Sequence, residues 1–111
     1  MPFFHVGLNK IEKELKKPHK DFSIRTAVRI IDEHINNINE EFKIESKIHW
    51  SLLEYYGHLK EAKKIIVSID RRMDTSPERD KAMVQIRMAS QLVREIERWI
   101  TAENAEHKFL K

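Results

Sequence analysis

Apolar residues recur at spacings of three and four along almost the whole chain. This period gathers side chains on one face of an α-helix, whereas a half-buried strand needs alternation at every second residue. Only two glycines and three prolines are present in 111 residues, too few turn formers for an all-β sandwich. The sequence therefore predicts an all-α fold, and its length predicts a single helical domain over residues 1–111.

Composition excludes several other classes of protein. The chain contains no cysteine, which excludes disulfides, thiol nucleophiles and Cys-ligated metal sites. Its longest aliphatic run is Ile65–Val67, far shorter than the roughly 20 apolar residues of a membrane-spanning helix. Lys10 interrupts the apolar N-terminal stretch before it reaches the length of a signal peptide. We expect a cytoplasmic protein with no cofactor and no membrane partner.

The first part of the chain predicts two helices. A helix over about residues 6–17 carries an apolar stripe and ends at Pro18, because the residue before a proline is pushed out of the α region. Asp21 or Ser23 then caps a second helix whose apolar residues follow a heptad pattern. The stripe of the first helix is Leu8, Ile11 and Leu15, and that of the second is Ile24, Val28, Ile31, Ile35 and Ile38.

The segment Asn36–Asn39 predicts a break after the second helix, because asparagine side chains compete for backbone hydrogen bonds. We expect a third helix over about residues 40–73. A continuous helix with a four-residue stutter at the same place fits the pattern almost as well. The apolar seam of the third helix is Ile44, Ile48, Leu52, Tyr55, Leu59, Ala62, Ile66, Ile69 and Met73.

The clearest helix start lies at Asp74–Pro77, which offers a capping side chain and a proline for the first turn. We expect this helix to reach about residue 106 and to match the third helix in length. Two long helices joined by a short turn form an antiparallel hairpin. The predicted architecture is an elongated antiparallel bundle of three to four helices with a long C-terminal αα-hairpin. The last seam is Ala82, Ile86, Ala89, Val93, Ile96 and Ile100, widened by Met88, Leu92 and Trp99.

The third helix is apolar on more than one side. Trp50 and Leu53 lie roughly opposite the apolar seam, and Tyr56 extends this second patch. The patch is either covered by the first two helices or acts as an aromatic anchor for a second copy or another protein. We therefore predict a non-enzymatic protein-interaction or oligomerisation module, a homodimer or small oligomer. Its predicted partner-binding residues are Trp50, Leu53, Tyr56 and Trp99.

Basic residues concentrate in two clusters, at residues 10–29 and 60–72, on either side of an acidic middle. The net charge is only +3, yet lysine and arginine in such clusters can contact phosphates without reading bases. The alternative function is therefore sequence-independent nucleic-acid binding. Solvated helix faces with acidic residues within a turn explain the same pattern. The candidate contacts are Lys13, Lys16, Lys17, Lys20, Arg25, Lys60, Lys63, Lys64, Arg71 and Arg72.

Two further patterns suggest catalysis or metal binding. Arg29 and His34 have an Arg-x4-His spacing that resembles the short motif of the HEPN family of helical ribonucleases, in which both residues act at a dimer cleft. The resemblance implies a small helical ribonuclease as a second alternative, although this spacing turns the two side chains about 140° apart on one helix. Three Glu-to-His pairs at four-residue spacing either ligate an ion or are ordinary surface pairs. They are Glu45 with His49, Glu54 with His58, extended by Glu61, and Glu103 with His107.

Overall fold

The computed structural model describes the backbone of residues 3–42 and 49–109 and the side chains of residues 3–41 and 49–102. All its regular elements are helices, and no strand occurs in these ranges. The all-α prediction is confirmed. None of the helices in the described ranges has both the length and the apolarity needed to cross a membrane. The helices are α1 (Phe3–Leu15), α2 (Ile24–Phe42), α3 (Trp50–Val67) and α4 (Ser76–Phe109).

Each helix packs against two others. α1 contacts α2 and α4, α3 contacts α2 and α4, and the most extensive contact joins α3 to α4. In the described part of the chain, the backbones of α1 and α3, and those of α2 and α4, do not approach each other closely, and α1 meets α3 only through side chains such as the Phe4 and Tyr55 rings, whose centroids are 5.4 Å apart. α1 and α3 therefore lie on opposite sides of the core. The molecule measures 58 × 22 × 18 Å, and α4 provides most of its length, because 34 residues at 1.5 Å per residue extend about 51 Å.

The connection between α1 and α2 follows the predicted signals closely. α1 ends at Leu15, shortly before Pro18. Ser23, rather than Asp21, caps α2, because the Thr26 backbone N–H donates to Ser23 Oγ at 3.1 Å. A serine hydroxyl in this position satisfies one of the backbone donors that the first helical turn leaves free.

The predicted break at Asn36–Asn39 is wrong, because α2 runs through these residues as far as Phe42. The three asparagines are exposed, whereas Ile38 among them is fully buried. An exposed asparagine costs a helix about half a kcal/mol relative to alanine, and burying an isoleucine side chain contributes about 2 kcal/mol. Packing of Ile38, together with the backbone bonds of the continuing helix, therefore outweighs the local preference.

The third helix is shorter than predicted. It starts at Trp50, not near residue 40, and ends at Val67, not at residue 73. His49 caps its start by accepting the Ser51 backbone N–H at Nδ1, 3.3 Å away. The Ser68 hydroxyl donates to the Ile65 carbonyl at 2.6 Å where the helix ends. Of the predicted seam, Met73 is exposed, and Ile44 and Ile48 lie outside the described residues.

The predicted start of α4 is confirmed. The Ser76 backbone N–H donates to Asp74 Oδ1 at 3.0 Å, and the Arg79 N–H donates to the Thr75 carbonyl at 3.0 Å as the first bond of the helix. Pro77 occupies the first turn, where a missing N–H costs nothing. Asp74 stays ionised readily, because the hydrogen bonds from Ser76 lower the pKa of its carboxyl group.

One apolar core joins the four helices. Each predicted stripe supplies part of it, although α2 also turns Ala27 and His34 inward. The largest fully buried side chains of this core are Phe4, Ile11, Phe22, Ile31, Ile38, Leu52, Tyr55, Leu59, Ile66, Ile86, Val93 and Ile96.

Candidate functional site

The side of α3 that points away from the core carries both apolar and charged groups. The side chain of Trp50 is 54% exposed and that of Leu53 is 55% exposed, although the opposite side of the same helix is fully buried. α1 and α2 therefore leave this patch open in the described part of the molecule. We call this side the outer face of α3 and define it by Trp50, Leu53, Glu54, Gly57, Lys60, Glu61 and Lys64, all of which are exposed.

The other two predicted partner-binding residues are half-buried. Tyr56 turns toward α2, where its hydroxyl donates to Asn39 Oδ1 at 2.7 Å, and burial raises the pKa of Tyr56 to about 12. Trp99 of α4 stacks on the His49 ring, with centroids 5.5 Å apart and planes at 24°. The His49 ring in turn lies 5.4 Å from that of Trp50. The structure thus joins Trp50 to Trp99 through His49, and it assigns Tyr56 to the contact between α2 and α3.

The outer face of α3 carries two acidic and two basic residues. Glu54, Lys60, Glu61 and Lys64 take part in no salt bridge within the described residues. Both signs of charge are therefore available to a partner along the same side of α3 as Trp50 and Leu53.

The ten predicted nucleic-acid contacts do not form one surface. The first cluster lies on α1, the following loop and the start of α2, while Lys60, Lys63 and Lys64 lie on α3, across the core from α1. Lys63 donates to Asp32 Oδ1 at 2.9 Å, so its charge is already paired. Lys17 and Arg72 are likewise paired with acidic neighbours, with nitrogen-to-oxygen distances of 3.0 Å in both pairs.

Part of both basic clusters does meet at one end of the molecule. The loops over residues 16–23 and 68–75 come together there, because Arg71 Nη2 donates to the His19 carbonyl at 3.1 Å. His19 Nδ1 also lies 3.2 Å from Thr75 Oγ1, within hydrogen-bond distance. We call this region the loop end. Its exposed basic residues are Lys16, Lys17, Lys20, Arg71 and Arg72.

Arg79 holds the two loops of this end against α4. Its Nη1 donates to the carbonyls of Leu15 at 3.1 Å and Lys17 at 2.7 Å. Its Nε donates to Thr75 Oγ1 at 2.9 Å, and its guanidinium lies 5.3 Å from the centre of the Phe22 ring. Bonds from a charged donor to backbone carbonyls are strong when partly buried, so Arg79 fixes the shape of the loop end.

His34 belongs to the core and not to a surface site. Its side chain is 4% exposed, and its Nε2 forms a 2.6 Å hydrogen bond with the Tyr55 hydroxyl. The rings of Phe3 and Phe4 pack beside it. Burial, assisted by the charge of Lys10, lowers the pKa of His34 to about 4. Burial also raises the pKa of Tyr55, so the phenol stays protonated. Its hydroxyl can therefore donate the hydrogen bond to the neutral imidazole.

The Arg-x4-His pair is not assembled within one chain. Arg29 is on the surface, with a side chain 67% exposed and its Nε 3.9 Å from Glu33 Oε1. His34 points into the core, where Gly7 of α1 lies directly against its ring. No described contact brings the guanidinium and the imidazole to a common substrate position.

The described residues offer no cluster for a metal ion, since no three His, Asp or Glu side chains among them converge. His58 is bonded to Gln85 of α4 instead, with Nδ1 and Oε1 2.8 Å apart. The hypothesis of a site at Glu54, His58 and Glu61 is therefore not supported by these positions. The Glu45–His49 and Glu103–His107 pairs include side chains outside the described residues.

A shallow groove of about 710 Å³ lies between the start of α1 and the second half of α4. It is open to solvent and lined by both acidic and basic residues. Among the described side chains, no buried nitrogen or oxygen lacks a hydrogen-bond partner, so no orphaned polar group points into it. The groove is lined by His5, Ser90, Val93, Arg94, Glu97, Arg98, Thr101 and Ala102.

Neither protein-family models, curated proteins nor solved structures match this chain. Over the described ranges, the fold and its surfaces define an α protein of four helices with an exposed aromatic and charged face on α3. Sequence patterns identified His49 only as a possible metal ligand and missed its position between the two tryptophans. They also missed Arg79. The position of His34 at helical spacing from Ile31 and Ile38 was a usable signal for burial, whereas the contacts of Arg79 lie too far away in sequence to be read locally.

Proposed function

We propose that this chain is a non-enzymatic helical interaction module that forms a homodimer or small oligomer through the outer face of α3. The observation that carries the proposal is the exposure of Trp50 and Leu53 on a helix whose opposite side already fills the core. Adjacent large apolar side chains on a surface are typical of interface anchors, and tryptophan is enriched among the residues that dominate binding.

Packing around Trp50 supports this role. The His49 ring lies beside the Trp50 indole and is itself stacked on Trp99. An anchor held by neighbouring rings loses little conformational freedom on binding. Covering an exposed tryptophan or leucine contributes about 2 kcal/mol each, and two copies of both would be covered in a symmetric dimer.

The arrangement of helices supports an elongated antiparallel bundle with a C-terminal hairpin as the scaffold. Near the start of α3, His49 contacts Trp99, and further along α3, His58 contacts Gln85. From the first contact to the second, the residue number rises from 49 at the N-cap of α3 to 58 within it and falls from 99 to 85 in α4, as expected for antiparallel packing. We propose that residues 1–111 form one domain on this scaffold, located in the cytoplasm.

Sedimentation equilibrium tests the proposal directly. We expect the wild-type chain to have a mass above that of a monomer, and Trp50→Ala or Leu53→Ala to weaken association by about tenfold or more, equivalent to about 1.4 kcal/mol. Circular dichroism should show unchanged helicity. Val84→Ala is the matched control, because Val84 is 46% exposed on α4. A monomeric wild type, or equal weakening by Val84→Ala, would contradict the proposal.

A second candidate function is sequence-independent binding of nucleic acid at the loop end. The bond from Arg71 to the His19 carbonyl favours it, because this contact brings exposed cations of both basic clusters to one end. A gel-shift titration with the double variant Lys20→Ala/Arg71→Ala should show weaker binding at low salt. Lys60→Ala/Lys64→Ala, on α3, is the control. If the wild type does not bind at low ionic strength, this candidate is excluded.

A further inference from the structure

His34 and Gly7 form a close contact between α2 and α1. The His34 ring fills the space that a Cβ at Gly7 would need, so the histidine requires a glycine at this position. A glycine inside a helix of 13 residues weakens that helix relative to alanine, and a buried imidazole must be hydrogen-bonded to offset its loss of water. A pair of apolar residues of the same shape would avoid both costs. Stability alone therefore gives no reason for this pair.

The hydrogen bond to Tyr55 suits the His34 ring only in its neutral form. The Tyr55 hydroxyl lies 2.6 Å from Nε2 and can donate to this nitrogen while it is unprotonated. A second ring proton turns Nε2 into a donor, so the hydroxyl must then accept, and its own hydrogen needs another acceptor. Both side chains are buried, so water does not supply that acceptor while the core stays closed. Protonation of His34 therefore disrupts the hydrogen bonding of the closed core.

The charged groups around His34 also disfavour an imidazolium. From α1, Lys10 adds a positive charge, whereas Glu14 of α1 and Asp32 and Glu33 of α2 are already in ion pairs with basic neighbours. The facing group of α3 is the tyrosine hydroxyl, and the backbone of α4 does not approach α2 closely. Within the described residues, no ion pair joins His34 to a carboxylate. A charged ring has no counter-ion in this position.

The N-terminal half of α1 is the part of the cover over His34 that is removed most easily. Two phenylalanine rings and Gly7 of this half lie against the imidazole. On the other side of the ring, α3 is held by the most extensive helix contact of the molecule, which joins it to α4. The C-terminal end of α1 is also held, because Arg79 donates to backbone carbonyls there. A short helical segment does not remain helical once it is detached.

We infer that residues 3–8 of α1 form a lid that opens when His34 takes up a proton, while the other end of the helix stays bound to Arg79. Opening gives the imidazolium access to water and exposes Phe4 and Leu8, which are buried in the closed state. The lid is therefore an acid-dependent switch that uncovers an apolar surface of the core. It makes no use of the outer face of α3 and is independent of the proposed function.

The size of the response follows from the two environments of the ring. The pKa of His34 is about 4 under the lid, whereas an imidazole in water has a pKa of about 6.5. The open state therefore binds the proton more tightly, and acid shifts the population toward it. Between pH 7.5 and pH 5, the ratio of open to closed molecules should rise about 30-fold.

Amide hydrogen exchange followed by NMR tests the lid. The backbone N–H groups of residues 7–11 donate to the carbonyls of residues 3–7 in α1, so they exchange when the lid opens. Their protection factors, which correct for the intrinsic pH dependence of exchange, should fall about 30-fold from pH 7.5 to pH 5. At pH 5 they should lie at least about tenfold below those of the buried residues of α4 between 82 and 96, because the lid opens without unfolding the hairpin.

Histidine variants identify the group that titrates. His34→Gln keeps an amide that can bond to Tyr55 but cannot titrate, so the pH-dependent loss of protection in α1 should disappear. His34→Leu removes the titrating ring in the same way if the glutamine variant does not fold. His5→Gln, an exposed change on α1 itself, should keep the full response. A full response in the His34 variants, or none in the wild type, would overturn the inference. Equal protection of residues 7–11 and of α4 at pH 5 would do so too, since α1 would then open only when the whole chain unfolds.

Discussion

At the scale of single residues, His34 makes the stability of the fold dependent on pH. The imidazole has a pKa of about 4 in the folded chain against 6.5 for a free histidine. Between these values the unfolded chain binds a proton that the folded chain does not. The contribution of His34 is therefore fully present above about pH 6.5 and is lost progressively as the pH falls toward 4.

We predict that His34 alone lowers the free energy of unfolding by about 2 kcal/mol between pH 7.5 and pH 5. Urea unfolding of the wild type and of His34→Leu at both values measures this, since the variant keeps every carboxylate but has no imidazole to protonate at this position. The pH-dependent loss should be smaller in the variant by that amount. Equal losses in both chains would show that His34 does not titrate differently on folding.

The two glycines give a matched pair of substitutions with opposite expected signs. At Gly7 an added Cβ would overlap the His34 ring, which the bond to Tyr55 holds in place, whereas at Gly57 the space is open. We predict that Gly7→Ala destabilises the fold by about 1–3 kcal/mol. Gly57→Ala should stabilise the monomer by about 0.5–1 kcal/mol, because alanine is the better helix former. Thermal unfolding below the dimer concentration range would compare them, and equal shifts would contradict this account.

At the scale of elements, helices were predictable where burial and local signals agree. Pro18, Ser23 and the segment Asp74–Pro77 delimit helices as their chemistry requires. The helix break predicted at Asn36–Asn39 is wrong, because burial of Ile38 stabilises the helix through the exposed asparagines beside it. Helical spacing places Ile38 in the apolar stripe of α2, but the free energy that its burial contributes depends on helices far away in sequence, so local preferences alone could not show that it outweighs the asparagines.

The candidate site was predictable to a similar extent. Trp50 and Leu53 lie on the surface because the seam of α3 faces the other way, and helical spacing alone gives that result. Tyr56 lies close to the same patch by helical spacing, but its hydroxyl points toward α2, where it donates a hydrogen bond to Asn39 Oδ1. This contact depends on the axial position of α2 relative to α3, which is a tertiary property that the sequence does not show.

The attachment of the first loop to α4 leads to a prediction about Arg79. Arg79→Lys removes the planar fork that reaches two carbonyls and Thr75 together, so we predict a loss of about 2 kcal/mol in the free energy of unfolding. Hydrogen exchange should also become faster over residues 16–23. Arg87→Lys, an exposed change on the same helix, should alter stability by less than about 0.5 kcal/mol. Similar effects of both changes would argue against a special role for Arg79.

At the scale of the whole molecule, placing α1 and α3 on opposite sides of the core limits how many basic residues one polyanion can touch. Contact through the loop end involves its five exposed basic residues, Lys16, Lys17, Lys20, Arg71 and Arg72. The logarithm of the affinity for duplex DNA should then fall with the logarithm of salt concentration with a slope of about −4.5. A slope near about −9 would mean that all ten predicted cations bind phosphates together. Fluorescence anisotropy across a salt series measures this slope.

The bonds between Arg79 and the end of α1 join residues 64 and 62 positions apart in the chain. α3 and α4, by contrast, are neighbours in sequence, and their mutual packing closes only a short connection. Closing a long loop is entropically more demanding than closing a short one. We therefore expect the hairpin of α3 and α4 to collapse first during folding and α1 to attach to it afterwards.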